Sequence, residues 1–117
     1  MTVGVKSDGH DVALYQALLK FAFTEPTDLR EGQMFGAPAI YVGRRMAACV
    51  LGGEVGLRVP AGVAASARNS GRARAFTPYG KRPMREWIAL DLNPDQLSDA
   101  SDLIAAAIAF ARTDHAM

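Results

Sequence analysis

Between Met34 and Val59 the chain alternates with a period of two, and two glycine-bearing breaks cut this stretch into three short runs. Ala39 to Val42 and Met46 to Leu51 are β-compatible and are separated by Gly43-Arg44-Arg45, while Gly52-Gly53 separates the second run from Glu54 to Val59. Glycine tolerates the positive φ that tight hairpin turns demand, so the breaks predict an antiparallel three-stranded meander. In the third run Val55, Leu57 and Val59 share one face, with Glu54, Gly56 and Arg58 on the other. That alternation predicts a sheet with a single covered face.

The flanking segments supply the cover. Pro60 ends the meander and opens a short predicted helix over Ala61 to Asn69, with Gly71 soon after its end. Ala73 to Thr77 and Glu86 to Leu92 read as two further strands, the latter setting Ile88, Leu90 and Leu92 against Trp87, Ala89 and Asp91. Asn93-Pro94-Asp95-Gln96 combines a cap residue, a proline for the first turn and a glutamine able to reach back, which predicts a helix start. This helix is expected to break near Ser98 to Ser101 and then to run to about Thr113, burying Leu103, Ile104, Ala107, Ile108, Phe110 and Ala111. Upstream, Val12, Tyr15, Leu18, Leu19 and Ala22 line one face of a helix that begins near Ser7 or Asp8 and is closed by Thr24-Glu25-Pro26. Glu25 to Gln33 is polar and aperiodic and reads as a loop. The predicted order is α-β-β-β-α-β-β-α, a single α+β domain over residues 1–117 in two layers, with a five-stranded antiparallel sheet flanked by helices. Such a sheet lacks the crevice at parallel strand ends where nucleotides usually bind.

Of the 117 residues 50% are hydrophobic and 21% charged, enough for one core without disulfide or metal support. The longest run free of polar side chains, Leu103 to Ala111, falls short of the roughly 20 apolar residues a membrane span needs. Charges in the first eight residues argue against a signal peptide and for a cytoplasmic protein. The net charge of +1 conceals a segregation. From Gly32 to Arg85, nine basic residues face Glu54 alone, giving +8, whereas residues 1–31 carry −2 and residues 86–117 carry −5. A basic block of this kind serves an anionic partner or pairs with acidic segments of its own chain or of a neighbouring subunit. Pairing is the reading preferred here.

No constellation of reactive residues stands out. His10 and His115 lie near opposite termini, without metal-ligand spacing around them. The single cysteine, Cys49, sits in an apolar run and reads as a small core residue. Gly52-Gly53-Glu54-Val55-Gly56 joins two strands and opens no helix, and Gly80-Lys81 is followed by arginine, so neither is a phosphate loop. Asp95, Asp99 and Asp102 share a helix face and suit solvation near a helix N-terminus. Neither catalytic, cofactor-binding nor metal-binding residues are assigned. The candidate binding surface comprises Arg68, Arg72, Arg74, Tyr79, Lys81, Arg82, Arg85 and Trp87, with Phe76 read as core. Cations interleaved with flat rings suit single-stranded nucleic acid. The preferred account sets Trp87 facing outward, at a sheet edge or in a subunit contact.

Four stretches carry a resemblance: Met34-Phe35-Gly36, Tyr41-Val42-Gly43-Arg44-Arg45-Met46-Ala47, Val55-Gly56-Leu57-Arg58-Val59, and Gly71 to Trp87 with Phe76-Thr77-Pro78-Tyr79-Gly80-Lys81 at its centre. Over about Leu14 to Phe110 the chain resembles the N-terminal domain of the TfoX/Sxy family. The resemblance implies an antiparallel sheet flanked by helices. The best-known members regulate bacterial competence and carry an additional C-terminal domain. It implies no catalytic residues and no cofactor. The expected function is therefore that of a small non-catalytic binding module, regulatory in role. Its partners would be a second copy in a homodimer or an unidentified protein, with nucleic acid binding through residues 68–85 as the alternative.

Overall fold

A computed structural model of the chain describes residues 12–22, 29–34, 36–77 and 85–116. Three α-helices lie with a six-stranded antiparallel sheet: α1 (Val12–Ala22), β1 (Leu29–Met34), β2 (Ala37–Val42), β3 (Arg45–Leu51), β4 (Glu54–Arg58), α2 (Ala61–Asn69), β5 (Arg74–Ala75), β6 (Trp87–Asp91), a 3-10 helix (Pro94–Ala100) and α3 (Ser101–Ala116). The strand order across the sheet is β1-β2-β3-β4-β6-β5. The α+β class and the meander stand as predicted, but the sheet has six strands and not five, because part of the expected loop Glu25 to Gln33 is β1. Leu29–Met34 carries Arg30, Glu31 and Gln33, which read as polar coil. As an outer strand β1 needs little apolar surface, and its register with β2, from Leu29↔Val42 to Met34↔Ala37, holds it extended.

The hairpin turns fall at the predicted breaks. Gly43 and Gly52 adopt φ of 59° and 61°, the left-handed conformation a two-residue turn requires. Between Ile40 and Tyr41 the β2–β3 register shifts, so that Ile40 faces Ala48 while Tyr41 faces Met46 and Ala47 is the extra residue. The fourth predicted strand, Ala73 to Thr77, contracts to two residues on the far edge beside β6. α2 ends in a Schellman motif: the Arg72 N–H donates to the Ala67 carbonyl at 3.0 Å and the Gly71 N–H to that of Arg68 at 3.2 Å. The expected break before α3 is the 3-10 helix, whose start is closed by the Asn93 N–H donating to the Gln96 side chain at 2.8 Å.

The main core lies between the helices and one sheet face, where Val55, Leu57, Ile88 and Leu90 meet Leu14, Leu18, Ala64, Leu103, Ile104 and Ala107. In α1 the buried stripe runs through Leu14, Leu18 and Ala22, whereas Val12, expected inside, is exposed. The sequence start of α1 near Ser7 lies outside the described residues.

The opposite face is also covered, which corrects the expectation of a single covered face. Cα partners Gly32, Ala39, Cys49, Gly56 and Ala89 form a continuous row of small residues across five strands. Phe76, fully buried, lies over Gly56, and the Tyr41 ring lies over Gly32. A Cβ on Gly56 would meet the Phe76 ring at 2.9 Å and the Cys49 sulfur at 3.0 Å. Gly56→Ala is therefore expected to lower unfolding free energy by about 1–3 kcal/mol through overpacking. Urea denaturation checks this, and an unchanged midpoint would mean that the ring does not rest there.

Candidate binding surface

The candidate residues divide among different structural roles. Trp87 is buried at 7% exposure and stacks on Phe76 with ring centroids 5.2 Å apart and planes inclined by 26°. It occupies the sheet face expected of it but points into packing, so the outward-facing tryptophan is corrected. Burial of a large ring against a second aromatic over the glycine and cysteine beneath outweighs leaving it in water. Tyr79, Lys81 and Arg82 lie outside the described residues. Arg68 is half-buried on α2, and Arg85 is exposed just ahead of β6.

The remaining arginines engage carboxylates of the same chain. The Schellman turn brings Arg72 back toward the start of α3, where its two terminal nitrogens donate to the Asp102 carboxylate at 2.8 and 2.7 Å. One of them also reaches the Asp99 carbonyl at 3.4 Å. Arg74 on β5 makes a two-point contact with Asp91 on β6, at 2.9 and 2.6 Å, and lies 3.5 Å from Glu54 of β4. Arg58 donates to Glu86 at 3.2 Å and sets its guanidinium 4.7 Å from the centre of the Phe110 ring. Three of these carboxylates, Glu86, Asp91 and Asp102, belong to the acidic C-terminal segment. The basic block is thus met by its own chain at three separate places, and the described arginines form no single aromatic-lined track.

Hydrogen bonding from Arg72 holds the Asp102 carboxyl down at about 2, and Arg74 lowers that of Asp91 in the same way. The same bonds raise the two guanidinium groups. Between α2 and the start of α3, beside the Arg72–Asp102 pair, runs an open groove of about 300 Å³ lined by Val63, Ser66, Ala67, Ser70 and Leu103.

Cys49 is buried under the second layer that Phe76, Trp87 and Tyr41 form on the helix-free face of the sheet, and desolvation pushes its thiol up to about 12. At neutral pH it is a protonated, sealed group without nucleophilic character. Among the described residues, no three His, Cys, Asp or Glu side chains stand close enough to hold a metal ion, and no helix is long and apolar enough to cross a membrane. Residues the sequence did not single out gather at the other side of the sheet. The Tyr15 hydroxyl donates to Glu31 at 2.9 Å, the Arg30 Nε to the Gly43 carbonyl at 2.8 Å, and the Tyr41 hydroxyl to the Gln33 carbonyl at 2.7 Å. The one sequence signal for them was the glycine of Met34-Phe35-Gly36, which marks the β1–β2 turn.

No protein-family model, curated protein or solved structure matches this chain.

Two outcomes follow from the geometry. A carboxyl lowered by folding stabilises the fold above its unfolded pKa, ordinarily 3.8, and that gain is lost as the pH falls toward about 2. Asp102→Asn should therefore lower the urea midpoint modestly at pH 6 and leave it close to that of the parent at pH near 2, the pair being exposed. A gap that persists at low pH would assign Asp102 another role. Cys49 should react with an aromatic disulfide reagent far more slowly in the folded chain than in urea. Equal rates would show that the second layer opens freely.

Proposed function

We propose that this chain is a non-catalytic, cytoplasmic binding module of the TfoX N-terminal domain type, regulatory in role, that acts by associating with protein, including further copies of itself. The observation that carries this reading is the internal engagement of three of the groups that would otherwise recognise a nucleic acid, Arg72, Arg74 and Trp87. Arg72 and Arg74 are each held in two-point contacts with carboxylates, and Trp87 is stacked inward on Phe76. To bind phosphates, Arg72 and Arg74 would first have to give up charge-assisted hydrogen bonds. Presenting Trp87 to bases would require dismantling the second layer of the sheet. The sealed thiol of Cys49 supports the non-catalytic part of the reading. The four resembling stretches support the family, and β1, a six-residue outer strand, is a backbone surface suited to strand addition.

Fluorescence anisotropy with labelled single- and double-stranded oligonucleotides, at about 50 and about 200 mM salt, separates this function from its alternative. The expected result is no binding beyond the weak non-specific level at either salt. Tight binding that weakens steeply with salt would overturn the reading in favour of a nucleic-acid accessory role through residues 68–85. Light scattering from about 10 μM to about 1 mM is expected to give a mass rising above that of one chain. A constant single-chain mass would remove self-association from the proposal.

A further inference from the structure

We propose that the outer edge of β1 is a homotypic interface, at which β1 of a second copy pairs antiparallel about Gly32 and joins two six-stranded sheets into one. The inference rests on the self-association part of the function proposed above and names its surface and partner.

The two edges of the sheet are unequal. One ends in β5, two residues long, and the other in β1, six residues in unbroken register with β2 and free of proline. Natural edge strands are usually blunted by charges, proline or a bulge. The two charges of β1 are instead drawn back onto opposite faces of their own molecule. Arg30 folds over the Tyr41 ring, 4.8 Å from its centre, and donates to the Gly43 carbonyl, while Glu31 accepts from Tyr15 of α1.

Alternation along β1 decides which backbone groups face outward. Val42 and Arg45 flank the two-residue turn Gly43-Arg44 and so form the hydrogen-bonded closing pair of the β2–β3 hairpin, which turns the main-chain groups of Val42 toward β3 and those of Tyr41 toward β1. Gly32↔Ala39 and Arg30↔Tyr41 follow as hydrogen-bonded pairs, which leaves Glu31↔Ile40 and Gln33↔Pro38 as the pairs whose main-chain groups turn away from each other. Pro38, having no N–H, fits that position. The N–H and C=O of Glu31 and Gln33 therefore point to the outer edge. The Gln33 carbonyl takes one bond from Tyr41 and retains a second lone pair.

Pairing must match residues of one face, which allows few symmetric registers. A dyad at Arg30 opposes two guanidinium groups, and one at Glu31 opposes two carboxylates. A dyad at Gln33 aligns only residues 32–34. The dyad at Gly32 aligns residues 30–34, sets Glu31 across from Gln33 of the second copy on the helix side, and opposes no like charges. Its centre is the residue without a side chain.

Sedimentation equilibrium of the full chain, with Gln33→Glu and Gln33→Lys beside the parent, tests the interface. Gln33 is exposed, and both changes leave its carbonyl in place. In Gln33→Glu a carboxylate meets Glu31 of the second copy twice per dimer, whereas Gln33→Lys supplies two opposite-charge pairs. Dimer affinity should fall about fivefold in the first and rise about fivefold in the second. The difference should shrink at about 0.5 M salt. A dimer of equal affinity in all three proteins would overturn the β1 interface and leave self-association standing. A single-chain mass for all three up to about 1 mM would overturn both.

Discussion

The structure depends on close approach across the sheet face that the helices do not cover. Gly32, Ala39, Cys49, Gly56 and Ala89 stand in one line across five strands, and this line has too little side chain to hold anything away from the backbone. Tyr41 lies down over one glycine of the row and Phe76 over the other. Trp87 stacks beside Phe76, and Met34, Met46 and Leu51 fill in around them. An antiparallel sheet commonly leaves such a face to water. Here the sheet is buried on both sides at its centre, which explains why the Cys49 thiol is sealed and why Ala39 and Ala89 are inaccessible despite belonging to the helix-free face.

The same closure decides what the charges do. With the aromatic residues turned inward, Arg58 stands at the end of β4, Arg72 just after α2 and Arg74 on the edge strand β5, and carboxylates of the acidic segment 86–117 meet all three. Pairs at sequence separations of 28, 30 and 17 residues result: Arg58 with Glu86, Arg72 with Asp102, and Arg74 with Asp91. Exposed pairs contribute little to stability one at a time. Their larger effect is directional, because two-point guanidinium contacts hold the end of α2 and the short β5 against α3 and β6. The Schellman turn after α2 makes the first of these possible by reversing the chain at the place where Arg72 must point back.

How much of this was legible in the sequence varied with the range of the interactions involved. Hairpins at Gly43 and Gly52, α2 between Pro60 and Gly71, and the capped start before α3 rest on signals within a few residues of each other, and each lies where those signals put it. The strand β1 is not legible in the sequence, because Leu29–Met34 has no apolar period of its own and is held by pairing with β2. The spacing of Val12 fits the apolar side of α1, yet the packing surface is centred on Leu14 and Leu18. For Trp87 the alternation specifies the face and not the Phe76 ring that covers it. Strand alternation tells which side a residue takes, and it does not tell whether another part of the chain covers that side.

The sequence by itself determined the α+β class, the antiparallel meander, the helix boundaries around Pro60 and Asn93, and a charge segregation that favoured internal pairing. Those features follow from backbone preferences and short-range periodicity, which act wherever the residues are placed. Only the tertiary structure decided that β1 joins the sheet as its outer strand, that Phe76 and Trp87 close the second face over Gly56, and which carboxylate meets each arginine. These arise from contacts between segments distant in the chain, whose geometry is set by sheet register and by the space a missing side chain leaves.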